Sequence, residues 1–251
     1  MNKGFVIMAQ NTKSTDYVSC AEVLKKSIHR VMPAANVTII TDLPYGDQAP
    51  DSDWKLINDW QVYDASPYEY TIKLEADMII PCNIDYWWDV LKERDLVVSN
   101  TIRNYKGSIS DCKMYRNFIT DNELPDVYNA ITYFKKSELA KDFFNIVKII
   151  FQNWEDYKKI LKCNSDEIAT TDWVYSIACH IMGVENTTLP AFKQFSMVHM
   201  KQHINDLLSE TWTNELVYEY NDHLKINTFP QFYPFHYHIK AFANTLGKYY
   251  G

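Results

Sequence analysis

Glycine is scarce, with six in 251 residues. No Gly-x-Gly-x-x-Gly follows the first apolar run, and no Gly-Lys-Ser/Thr occurs anywhere. Loops that cradle a dinucleotide or a triphosphate need such glycines, so both loop types are poor candidates. The five cysteines, Cys20, Cys82, Cys112, Cys163 and Cys179, are odd in number, widely spaced and without a Cys-x-x-Cys pair. That argues against a disulfide framework and a zinc knuckle, and for a reducing compartment, the cytoplasm. No run approaches the ~18 apolar residues of a membrane span. The first residues lack the basic start and long apolar core of a signal peptide. Basic residues are in the minority, 25 against 32 acidic, for a formal net charge of -7. A uniformly basic nucleic-acid surface is therefore not expected, which leaves a local groove or a single flipped base.

Aromatic residues are plentiful at 15%, including 18 tyrosines and 7 tryptophans. Such a content suits aromatic-lined clefts as well as core. Gly4–Ala9 is a short apolar run, read as a buried strand. A polar loop follows, then Tyr17, Val18, Ala21, Leu24, Ile28 and Val31 recur at helical spacing, with Asp16 as the cap. Val37–Ile40 is a second β-branched run ending at Thr41-Asp42. Strand, helix, strand predicts a parallel βαβ unit, whose ligands bind beyond the carboxyl ends of the strands.

Thr71–Ile80 reads as a buried strand carrying Glu75 and Asp77. Residues two apart on a strand share a face. Two like charges on a buried face repel and are costly to desolvate, and a divalent cation removes both problems. A wet edge strand is the other reading of the same window.

Further on, residues 43–70 are expected to be loop-rich, and Asn83–Leu91 a capped short helix whose Trp87-Trp88 pair is core. Leu96–Ser99 is read as a strand. The segment 100–122, with Arg103, Lys106, Lys113 and Arg116, reads as a solvated loop or as an acceptor-side or phosphate-side contact. Pro125–Phe134 reads as a turn into a strand, and Ser137 opens an amphipathic helix. Thr170 or Thr171 caps another, with Asp172 in its first turn. Phe195–Lys201 carries His199. His236 and His238 alternate in an aromatic tail and are taken as structural or acceptor-side. With no repeat or linker, one domain is expected over 1–251. Residues 1–100 would form a nucleotide-binding half, and 101–251 an acceptor half with the tail.

Over residues 4–201 this order resembles nucleotide-sugar glycosyltransferases of the GT-A type, particularly the glycogenin and bacterial galactosyltransferase group, family 8. Lys73–Met78, Asn83–Trp88, Leu124–Tyr133, Thr171-Asp172 and Val198–Lys201 also resemble stretches in glycosyltransferase-like proteins of tailed bacteriophages. The resemblance implies an α/β fold with a Rossmann-like, mixed and mainly parallel sheet flanked by helices. It implies a Mn²⁺ or Mg²⁺ cofactor and a nucleoside-diphosphate-sugar donor, UDP-sugar first. The acceptor it implies is a glycan or a modified phage DNA base, within the host cytoplasm for a phage protein.

Glu75-Ala76-Asp77 resembles the family's Asp-x-Asp metal motif, with Glu in place of the first Asp. His199 resembles the histidine that completes the metal site, and Lys201 a donor-phosphate contact. The glycine that usually follows that histidine is missing. Ala9, Asn11 and Tyr17 fall where the nucleotide base binds, and Asp42 at the next strand end. Lys73 and Asn129 fall at donor contacts, and Asp172 near the reacting sugar. Asp172 or Asp126 would stabilise the sugar cation or take the acceptor proton. Two other classes stay open: a non-catalytic nucleotide- or sugar-binding module on a decayed fold, and a nucleotidyltransferase.

Overall fold

The computed structural model describes residues 2–114, 116–163, 168–207, 209–221, 223–239 and 241–250. The chain opens as the βαβ unit its periodicity predicts. Strand β1 (Lys3–Met8) leads into helix α1 (Tyr17–Val31), then strand β2 (Val37–Ile40). Asp16 caps α1 by accepting from the Ser19 backbone N–H at 3.0 Å. A 3₁₀ helix over Lys55–Gln61 and helix α2 (Val62–Ala65) follow, where only loop was expected.

Strand β3 (Tyr70–Glu75) ends sooner than the apolar run suggests. The chain turns at Ala76-Asp77 and resumes as β4 (Met78–Ile79) in a different sheet. The Tyr237 backbone N–H donates to the Asp77 carbonyl at 3.1 Å and holds this turn. Helix α3 (Trp87–Leu91) starts later than predicted. Asn83 Oδ1 instead accepts from the Asp85 N–H at 2.8 Å, closing a local turn that competes with helix.

Strands β5 (Leu96–Ser99), β6 (Ile102–Arg103) and β7 (Ile109–Ser110) come next, then helix α4 (Asn117–Asp121) and strand β8 (Tyr128–Lys135). Helices α5 (Glu138–Gln152), α6 (Trp154–Ile160), α7 (Thr171–Met182) and α8 (Val184–Thr187) precede strand β9 (Met197–His199). Ser137 and Thr170 cap α5 and α7 through their hydroxyls. The remainder is β10 (Tyr218–Asn221), β11 (His223–Ile226), β12 (Phe229–Pro230), β13 (Phe235–His236) and α9 (Ala241–Tyr250).

The main sheet has order β2-β1-β3-β8-β5. It is parallel except for β8, which runs antiparallel to both neighbours. Strand alternation gives it a core on each face. Phe5, Ile7, Ile72 and Leu74 pack on one side with Trp87 and Trp88, and Val6, Leu96 and Val98 on the other with Phe143, Phe144 and Tyr175. This is the expected mixed α/β architecture with flanking helices. A second sheet, β4-β13-β9-β6-β7, stands next to the carboxyl end of β3. The tail strand β13 is wedged in it between β4 and β9. Among the described residues no helix is long and apolar enough to cross a membrane.

The segment expected as a solvated loop holds two buried cations. Arg103 is 9% exposed and Arg116 2%. Arg103 donates to Ser196 Oγ and to the Gly107 and Lys193 carbonyls, and lies over the Tyr233 ring. A planar guanidinium satisfies several acceptors at once, which makes this burial tolerable.

Gly4, inside β1, faces the ring of Tyr68, whose hydroxyl is pinned to Thr38 Oγ1 at 2.7 Å. A methyl group there would overlap the ring. Gly4→Ala is expected to lower unfolding free energy by ~1–3 kcal/mol, read by urea denaturation. Most of that loss should vanish when the change is made in a Tyr68→Ala background.

Candidate active site

A cavity of about 350 Å³ opens at the carboxyl ends of β1 and β3, beside the start of β8. Its walls come from both sheets and from the first turn of α7. Tyr17 and Trp54 contribute flat rings, and Gln10 and Thr12 polar edges.

The turn after β3 places two carboxylates against one imidazole. Glu75 Oε2 and Asp77 Oδ1 each lie 3.2 Å from His236 Nε2. Asn129 Nδ2 donates to Glu75 Oε1 at 3.1 Å. The donor atoms of Glu75, Asp77 and His236 all lie within 4.8 Å of one another. Asp77 is 4% exposed and His236 3%. Burial pushes the Glu75 carboxyl above its ordinary value, His236 opposes the rise, and Asp77 adds to it. A carboxyl raised in this way binds its proton more tightly in the folded chain than in the unfolded one. Its contribution to stability is present below the ordinary carboxylate value and is lost as pH rises through the folded value. A divalent cation relieves that penalty, and two carboxylates with one imidazole are a suitable donor set for it.

The resemblance puts His199 at this position, but the histidine facing both carboxylates is His236. The reason lies in strand order. Because β13 separates β4 from β9, the tail strand adjoins the Asp77 turn, and His199 sits one strand further, in register with His236. The His199 ring instead meets His238, with Nδ1 and Nε2 3.3 Å apart. Burial pulls the His199 imidazole well below its ordinary value, and His238 and His236 add to this. His236 and His238 were read as structural or acceptor-side; both line the cavity. The only hint in the sequence was their alternation.

Lys73, Asn129, Asp172 and Lys201 are brought to the same cavity, as is Tyr17. Lys73 is 1% exposed, and its ammonium sits 2.6 Å from Asp59 Oδ1, so its charge is already matched. Lys201 is partly buried; burial pulls its ammonium down and Asp172 opposes that. Asp172 accepts from Arg116 Nη1 at 2.6 Å and from the Asn129 N–H at 3.0 Å. Arg116 also holds Asp126 Oδ1 through Nη2 at 2.8 Å and lies over the Tyr128 ring.

Ala9, Asn11, Asp42 and Asp126 do not line the cavity. Ala9 is buried, with its N–H donating to the Ile40 carbonyl. Asn11 Oδ1 accepts from the Val18 N–H at the start of α1. Asp42 lines a separate open hollow with Pro44 and Asp64. Asp126 is bridged by Arg116 and Lys113.

No protein-family model matches the chain, and no curated protein is similar to it in sequence. Solved structures are similar in fold. The galactosyltransferase LgtC, in complex with donor and acceptor sugar analogues, superposes at TM-score 0.50 and 11% identity, covering 99% of this chain and 95% of that one. The bifunctional glycosyltransferase WbbM matches at TM-score 0.45 and 12% identity over 75% of this chain. GlyE of Streptococcus pneumoniae TIGR4 matches at 0.43 and 12% over 86%. The chain spans 39% of WbbM and 50% of GlyE. Its fold is that of the GT-A glycosyltransferases.

Arg116, itself buried, joins two partly buried carboxylates. Arg116→Ala is expected to cost about 3–5 kcal/mol by urea unfolding, the loss typical when one partner of a buried pair is removed. Arg116→Lys should recover only part of this, because a single ammonium cannot span both acids.

Proposed function

We propose that the chain is a metal-dependent glycosyltransferase acting on a nucleoside-diphosphate sugar, with UDP-sugars as the first donors to try. The observation that carries this reading is the convergence of Glu75, Asp77 and His236, with Lys201, at the carboxyl edge of a GT-A sheet. Glu75, Asp77 and His236 would hold the cation, Mn²⁺ before Mg²⁺ because one donor is an imidazole. When bound, that ion supplies Lewis-acid stabilisation of the leaving diphosphate.

In the transfer, the bond from the sugar's anomeric carbon to the diphosphate breaks and a bond to the acceptor oxygen or nitrogen forms. The acceptor gives up a proton, which the departing diphosphate can take. Negative charge grows on the leaving group while the sugar gains cationic character. Lys201 brings a positive charge to the same cavity and offsets the first of these. Asp172 is a fixed negative charge facing the second. Both its oxygens are engaged by Arg116 and Asn129, so it suits electrostatic stabilisation better than proton abstraction. Tyr17 and Trp54 offer faces on which a nucleobase stacks. Asp126, engaged by Arg116 and Lys113 away from the cavity, is given no role.

Charge favours one acceptor class. Arg103 and Arg116, two of the four cations of the basic segment 100–122, are both engaged internally. With a net charge of -7, a glycan becomes the first acceptor class, ahead of a modified DNA base. The odd, widely spaced cysteines suit work in the cytoplasm.

Release of free nucleoside diphosphate from a panel of nucleotide sugars, with and without Mn²⁺, tests the reading. Turnover should need the ion and fall by about a hundredfold or more in Asp77→Asn, with the variant still folding cooperatively. Turnover unchanged in Asp77→Asn would remove the site assignment. A well-folded wild type inert to every donor would favour the non-catalytic module, and consumption of nucleoside triphosphates instead would favour a nucleotidyltransferase.

A further inference from the structure

His199 and His236 stand side by side on neighbouring parallel strands, at 2% and 3% exposure. His238 completes a cluster with them. The ring centroids are 5.1 Å apart for His199 and His236, 4.5 Å for His199 and His238, and 3.9 Å for His236 and His238. One nitrogen from each ring lies within 4.8 Å of the others, and all three residues face the cavity. This group is chemically unlike the carboxylate set. It contains no oxygen donor, and imidazoles suit zinc-class ions, whereas carboxylates suit Mn²⁺ and Mg²⁺.

Two features indicate that the cluster is built and is more than packing. The His238 backbone has φ 52°. A left-handed conformation is uncommon outside glycine, and it persists where the surroundings over-determine it, commonly at functional sites. The second feature is spacing. His199 Nδ1 and His238 Nε2 are 3.3 Å apart. Two nitrogens each bound to zinc at ~2.0–2.1 Å span roughly 3.3–3.4 Å along a tetrahedral edge. Three protein ligands beside an open cavity leave the fourth position for water or a ligand oxygen.

We propose that His199, His236 and His238 form a second cation site, selective for zinc-class ions, which shares His236 with the carboxylate pair and opposes its occupation. An ion seated among the imidazoles draws His236 away from Glu75 and Asp77. Zinc-class ions would then act as antagonists of Mn²⁺ in this protein. The antagonism rests on the carboxylate reading above; the imidazole site itself does not.

The test is metal binding by the full chain after stripping with chelator. Zn²⁺ affinity is read by competition with a chromophoric chelator, Co²⁺ by its visible ligand-field band, and Mn²⁺ by the resonance of the free ion. His238→Asn is the informative variant, because asparagine tolerates the left-handed backbone. It should weaken Zn²⁺ by about tenfold or more and reduce the Co²⁺ band, while Mn²⁺ affinity changes by less than about twofold. Glu75→Gln should do the reverse. In the wild type, added Zn²⁺ should raise the apparent Mn²⁺ dissociation constant. His199→Gln provides the same reading if His238→Asn does not fold. Zinc affinity unaffected by either histidine change, or Zn²⁺ and Mn²⁺ weakened equally by His238→Asn, would overturn the proposal. Zinc binding that depends on His238, in a protein that does not bind Mn²⁺, would uphold this site, overturn its antagonism with Mn²⁺ and remove the carboxylate reading.

Discussion

Two neighbouring carboxylates, one buried and one half-buried, organise the centre of this molecule. Glu75 closes a strand whose interior is buried, Lys73 included, and Asp77 follows on a turn that is nearly inaccessible to water. Neither charge is cheap there, and their proximity adds to the cost. Four groups around them answer that charge, while Asp172 adds to it. His236 reaches both acids, Asn129 donates to one, and Lys73 and Lys201 stand behind with positive charge. The wedging of β13 between β4 and β9 is what delivers the imidazole. A sheet that ended at β4 would leave the acids facing a gap.

A second tier of ion pairs surrounds this centre. Lys73 with Asp59, and Arg116 with Asp126 and Asp172, are desolvated pairs with further hydrogen bonds to backbone and tyrosine. Such pairs contribute little net stability compared with apolar residues of the same size. What they do supply is orientation. Asp172 is held at a fixed angle to the cavity, and the Asn129 backbone that feeds it also places the Asn129 amide on Glu75. The site is therefore a set of fixed charges on strand ends and on the first turn of α7. That is the kind of arrangement that stabilises developing charge without reorganising.

Local signals in the sequence were reliable where the governing interactions are local. The caps at Asp16, Ser137 and Thr170 rest on neighbours within a few residues, and the βαβ start and the strand at Leu96–Ser99 show in the period of their own apolar residues. The Trp87-Trp88 pair is buried as read. The outer limits of this legibility are equally physical. The break after Glu75 is held by the backbone of Tyr237, far along the chain. The role of His236 depends on which strand the tail inserts beside, and periodicity carries no information on that. Arg103 and Arg116 look like surface charges until their acceptors, Ser196, Asp126 and Asp172, are brought in from other segments. Asn11 is engaged outside the cavity by a local hydrogen bond and Asp126 by ion pairs, while Asp42 lies in a separate hollow.

The most direct measurement is calorimetric titration of UDP into the full chain, once metal-stripped and once loaded with Mn²⁺. If the Glu75–Asp77–His236 group is a cation site that recruits a diphosphate, UDP should bind about tenfold or more tightly with the ion present. By reciprocity, UDP should tighten Mn²⁺ by the same factor. Equal UDP affinity in both forms, or heat of UDP binding in neither, would contradict the account at its centre.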